Sequence, residues 1–103
     1  MLLVSTTVPD QATAERVANE VVGARLAACV SILAPCRSIY HWQGRIESAT
    51  EIPLLFKTSE TRYAELAAKL KQLHPYELPE IVAVRVADGL PAYLDWVAAE
   101  TRT

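Results

Sequence analysis

Glycine is scarce in this sequence, with three residues in 103. Loops that cradle phosphate with successive backbone N–H groups need several glycines close together, so a phosphate loop of that kind is nearly excluded. Cysteine is scarcer: Cys29 and Cys36, with six residues between them, form no Cys-x-x-Cys pair and argue against a disulfide scaffold. No apolar run approaches the ~20 residues that cross a bilayer. Met1-Leu2-Leu3-Val4-Ser5 lacks the basic and long apolar regions of a signal peptide, so the expected location is the cytoplasm. Neither charge sign dominates. Ten Lys and Arg stand against twelve Asp and Glu, the net charge is −2, and the basic residues are scattered from Arg16 to Arg102. Without a basic stripe, nucleic acid is not the expected partner. His-x-Glu, His-Glu-x-x-His and Gly-x-Ser-x-Gly motifs are also missing.

What is present is apolar residue, 51% of the chain. That is rich for one domain, 1–103, whose length allows burial of only ~60–70% of its unfolded surface. A subunit interface is the natural destination for the excess.

Leu2 to Val8 is an apolar, β-branched run closed by Pro9-Asp10, which predicts a strand and then a helix N-capped by Asp10. Ala14, Val17, Ala18, Val21, Val22 and Leu26 recur at helical spacing. Ala28 to Ile32 reads as the next strand, with Val30 and Ile32 on one face. Pro35-Cys36 interrupts it, and it resumes from Ser38 to Trp42. Gln43-Gly44 supplies a turn, and the chain returns through Ile46, Ile52, Leu54 and Phe56. Each arm of this hairpin exceeds the usual ~5–6 residues of a strand, so it should project from the domain. Pro53 cannot donate to a ladder, which predicts an edge position or a bulge.

Thr58-Ser59-Glu60 is expected to cap a second helix with Tyr63, Leu66, Ala67, Leu70 and Leu73 inward and a Glu65–Lys69 pair outside. Ile81 to Val86 reads as a strand covered on both faces. Pro91 opens a last helix anchored by Tyr93, Leu94, Trp96 and Val97. The order β-α-β-β-α-β plus a terminal helix is the α+β, ferredoxin-like split arrangement, an antiparallel sheet with helices on one face. The other face is left open, and self-association covers it.

Few residues offer chemistry. His74 lies between a helix and Pro75, beside Tyr76, Glu77 and Glu80. It reads either as a helix stop favoured by the negative helix end or as part of a cation or ligand site. Cys29 reads as a small buried hydrophobe or as a thiolate paired with His74, and no third, orienting group is evident. Tyr40, His41 and Trp42 suit interface anchoring better than base stacking. Lys57 ends an apolar strand, either snorkelling to the surface or binding an anion.

Several segments taken together resemble the CutA divalent-cation tolerance family: Leu26 to Val30, Ser38 to Gly44, Glu51, Lys57-Thr58, His74 to Ile81 and Tyr93 to Trp96. The match runs in order over nearly the whole chain. The resemblance implies a subunit of a trimer related in architecture to PII-type signalling proteins. It also implies a role in the response to divalent metals, copper especially, without a known enzymatic activity. The family's shared polar residues map to Cys29, Tyr40, Trp42, Glu51, Lys57, His74, Tyr76 and Glu80, expected to gather in clefts between subunits, with His74 as the metal ligand. This chain departs from the pattern at Ser31, where Asn is usual. Thr6 and Leu73 stand where some members carry a Cys and a second His proposed to bind copper.

Three functions follow for comparison. The first is a homotrimeric protein that binds a divalent cation, weakly if copper, or a small molecule between subunits. The second is an interaction scaffold presenting its hairpin tips. The third is a hydrolase or transferase using Cys29 and His74.

Overall fold

The computed structural model describes residues 1–102. Strand β1 (Leu2–Val8) leads into helix α1 (Gln11–Gly23), followed by strands β2 (Cys29–Ile32), β3 (Cys36–Trp42) and β4 (Arg45–Thr58). A 3-10 turn (Glu60–Arg62) opens helix α2 (Tyr63–Leu73), and strand β5 (Val82–Arg85) and helix α3 (Pro91–Glu100) complete the chain. The sheet order is β2-β4-β1-β5, with every pairing antiparallel and β3 continuing alongside β4. This is the expected α+β, ferredoxin-like order.

Period-two alternation decides which side chains make the core. Leu2, Val4, Thr6 and Val8 of β1 are buried while the residues between them are not. Their register partners Thr58, Phe56, Leu54 and Ile52 share that face, and Val17, Val21, Leu66 and Leu70 of the two helices cover it. Phe56 is fully buried, and burial of such a side chain contributes roughly 1.5–3 kcal/mol. Asp10 caps α1 as expected, its Oδ1 accepting from the Thr13 N–H at 2.8 Å.

The hairpin forms as the sequence suggests. Gln43 and Gly44 both have positive φ, 49° and 79°, the left-handed pair that a two-residue hairpin turn requires and that Gly adopts without strain. The arms project, and the molecule measures 45 × 26 × 23 Å. Pro53 lies in the interior strand β4, with β1 on one side and β2 on the other. It sits opposite an interruption: Ile32 pairs with Leu54 and Cys36 with Glu51, so three residues of one strand face two of the other. The Pro53 carbonyl accepts from Leu33 N–H at 3.0 Å. A strand residue's N and carbonyl point to the same side, so the missing N–H faces this bulge and the β1 ladder loses nothing.

Three expectations are corrected. Thr58-Ser59-Glu60 does not cap α2. Thr58 ends β4 with its hydroxyl donating to Leu26 O at 2.7 Å, and the 3-10 turn intervenes. Glu65 pairs with Arg62 at 2.9 Å and Lys69 with Glu20 on α1, because Arg62 is already held beside Glu65 by the Ala24 and Arg25 carbonyls that end α1. The strand at Val82–Arg85 is exposed throughout. It is an edge strand, and Val82 and Val84, on the face it shares with Leu3 and Leu55, stay exposed among the described residues.

Candidate functional site

The site lies where the hairpin leaves the sheet. After α2, Pro75 cannot continue the helix and the chain wraps the end of β1 before entering β5. His74 fixes this wrap. Its backbone N–H closes the last turn of α2 on Leu70 O at 2.9 Å. Its Nδ1 accepts from Tyr76 N–H at 3.2 Å, so Nε2 carries the hydrogen and donates to Thr7 O at 2.8 Å. His74 is buried and stacks obliquely on Tyr76, with ring centroids 4.7 Å apart.

Anchored in this way, Tyr76 reaches Glu51 on β4. The Tyr76 hydroxyl and the Thr7 hydroxyl each donate to Glu51 Oε2 at 2.9 Å. Glu51 is only 7% exposed. Burial pushes its carboxyl up, but hydrogen bonding from Ser38, Thr7 and Tyr76 outweighs this and holds it below the usual glutamate range. Burial, the bond to Glu51 and the carboxylate's negative charge push the Tyr76 phenol up, so it remains a donor.

Around Glu51 opens a cleft of about 860 Å³, within the size range of small-molecule sites. Tyr40 and Trp42 of β3 line it along one side, Tyr76, Glu77 and Glu80 of the wrapping loop along the other, with Thr7 and Ser38 near its floor carboxylate. Of the residues expected to gather, Tyr40, Trp42, Glu51, Tyr76 and Glu80 share this cleft, and His74 braces it from behind Tyr76.

Cys29 and Lys57 are elsewhere. They are register partners on the open sheet face, six residues along β4 from Glu51, or roughly 20 Å. There Lys57 Nζ donates to Ser31 Oγ and stands 3.9 Å from Cys29 Sγ. Cys29 is half-buried and shares no hydrogen bond with His74, whose ring is spent on Thr7 and Tyr76. The nucleophilic pairing considered from sequence does not form. Thr7 and Ser38 at Glu51, and Ser31 at Lys57, are neighbours to which the sequence alone assigned no role. Alternation along β1 sets Thr7 opposite the core face, but only register brings it to Glu51.

Residues 2–100 match the family model described as CutA1 divalent ion tolerance protein. The chain belongs to the CutA1 family. The divalent-cation tolerance protein CutA of Pectobacterium atrosepticum is 42% identical over 93% of this chain and 87% of its own length. The CutA structure from Xylella fastidiosa superposes with a TM-score of 0.95 at 44% identity, covering 98% of this chain and 97% of that one. A protein described as the periplasmic divalent cation tolerance protein CutA, from Archaeoglobus fulgidus, has a TM-score of 0.95 at 36% identity, covering 99% and 100%. The ferredoxin-like subunit implied by the resemblance is thus the family's fold.

Proposed function

We propose that this chain acts as a non-enzymatic homotrimer in the divalent-metal response, with the cleft at Glu51 and Tyr76 as its ligand site. The observation that supports assembly is the uncovered sheet face. Val82 and Val84 are 52% and 60% exposed on an edge strand, where bare valines and unpaired backbone groups are a template for pairing with another copy. Covering a half-exposed valine contributes about 1 kcal/mol, and a second copy gains it along the whole strand. The projecting hairpin supplies the arm, with Ile39 and Ile46 exposed near its tip. Light scattering at micromolar concentration is expected to give the mass of three chains, and a stable folded monomer overturns the reading.

Toward copper the expected behaviour is weak binding. Both His74 ring nitrogens are engaged within the chain. Thr6 is buried in the core, and among the described residues no group of three His, Cys, Asp or Glu stands ready to hold a metal. Copper must displace His74 from Thr7 or recruit a neighbouring copy, so an affinity of about micromolar or poorer is expected, near −8 kcal/mol or weaker. Nanomolar binding by calorimetry that survives His74→Ala would refute this.

The scaffold reading draws on the same exposed Ile39 and Ile46. It requires the tips to stay accessible in the assembled protein, which hydrogen exchange measures. The cytoplasm is the proposed compartment, since Cys29 and Cys36 are both unpaired and oxidising compartments favour disulfides. Cell fractionation decides it.

A further inference from the structure

The cleft has a chemical bias that narrows the class of its ligand. Three carboxylates line it, from Glu51, Glu77 and Glu80, and no lysine or arginine does. Glu51 is the telling member. The residue as a whole is only 7% exposed, and the groups that hold its carboxylate are uncharged hydroxyls. Held as the anion by the hydroxyls of Ser38, Thr7 and Tyr76, Glu51 brings to the cleft a negative charge that no ion pair among the described residues neutralises.

The walls narrow the kind of cation. Tyr40 and Trp42 are 43% and 36% exposed, and with Tyr76 they present three aromatic rings to the space beside the carboxylate. Aromatic faces attract desolvated ammonium groups and pack against hydrocarbon. They do nothing for a small hydrated divalent ion, which demands a shell of oxygen or nitrogen donors. The volume, about 860 Å³, is far larger than one ion needs and suits an organic molecule.

We infer that this cleft binds an organic ammonium compound, its charged head against Glu51 and its carbon body between Tyr40, Trp42 and Tyr76. The inference rests on the reading of the cleft as a ligand site and names the class of ligand. It does not depend on assembly, because every residue invoked belongs to one chain. The same chemistry has a second source, a lysine or arginine side chain of a neighbouring copy inserted into the cleft.

The test titrates benzylamine, choline and butane-1,4-diamine into the protein, with benzyl alcohol and benzoate as shape-matched controls and Zn(II) as the metal control. Binding is read by calorimetry and by Trp42 fluorescence in a Trp96→Phe background, and solution mass is measured on the same samples. At least one amine is expected to bind, about tenfold or more tighter than benzyl alcohol, with benzoate not binding. Glu51→Gln keeps an acceptor for Thr7 and Tyr76 and is expected to weaken amine binding about tenfold or more while leaving mass and circular dichroism unchanged. Trp42→Leu provides a second variant that spares the buried carboxylate and is expected to weaken the same binding.

The inference is overturned by equal affinity for benzylamine and benzyl alcohol, or by undiminished binding in Glu51→Gln. Binding of Zn(II) in the cleft, lost in Glu51→Gln, with no amine bound at any concentration tested, also overturns it, while leaving the cation-binding reading of the cleft intact. If no amine binds until the assembly is dissociated, the cleft is filled by a neighbour's basic side chain and the small-molecule inference falls. A monomeric mass with amine binding intact defeats the trimer and leaves the ammonium site standing.

Discussion

Removing the Tyr76 hydroxyl tests the core of the site. Tyr76→Phe keeps the ring against His74 and deletes one hydrogen bond donated to the Glu51 carboxylate. A bond to a charged group contributes about 1.5–3 kcal/mol, against about 1 kcal/mol for a neutral pair. The Thr7 hydroxyl still reaches the same oxygen, so a loss of about 2 kcal/mol at pH 7 is expected. In a domain this size that lowers Tm by roughly 8–16 °C. The loss should also depend on pH. The folded protein holds Glu51 below its ordinary 4.5, so its stabilisation is fully present above that value. It fades as the pH falls through the lowered folded pKa, where the carboxyl takes up its proton. Below that point the hydroxyls face a neutral acid, and the cost of Tyr76→Phe should shrink to about 1 kcal/mol. Guanidinium unfolding of both proteins at matched concentration, at pH 7 and at a series of lower pH values that carries Glu51 through its protonation, measures the two differences. A cost that is the same with Glu51 ionised and with Glu51 protonated would refute the picture of Tyr76 as a donor to a charged Glu51.

Thr6→Val is expected to stabilise the fold by about 1 kcal/mol in the same assay, because Thr6 Oγ1 is buried without a hydrogen-bond partner and valine keeps its shape. His74→Ala deletes the ring hydrogen bond that ties the 74–80 loop to β1 and the one that braces the loop at Tyr76, and is expected to cost about 2–3 kcal/mol by unfolding. It should also speed amide exchange at Tyr76. Val84→Asp places a charge on the open sheet face at a position already 60% exposed in one chain. Sedimentation should show a shift from the proposed trimer to smaller species, and an unchanged mass places the interface elsewhere.

The elements and their order were legible in the sequence because their causes are local. Asp10 caps from three residues away, Gln43-Gly44 turns on its own φ values, and Val17 and Val21 recur with the helical period. The resemblance to the CutA family also brought Glu51 and Tyr76 into one candidate set. What the sequence could not decide is what depends on register between distant segments. Glu65 takes Arg62 and not Lys69 because the end of α1 already holds Arg62. Pro53 is accommodated in an interior strand because the neighbouring strand bulges opposite it. Tertiary structure sends Cys29 and Lys57 to Ser31 and spends both nitrogens of His74 on the backbone. It also brings Thr7, Glu51 and Tyr76 together from three segments. A side chain's partners across a sheet are set by where strands align, and that alignment is decided only when the whole core packs.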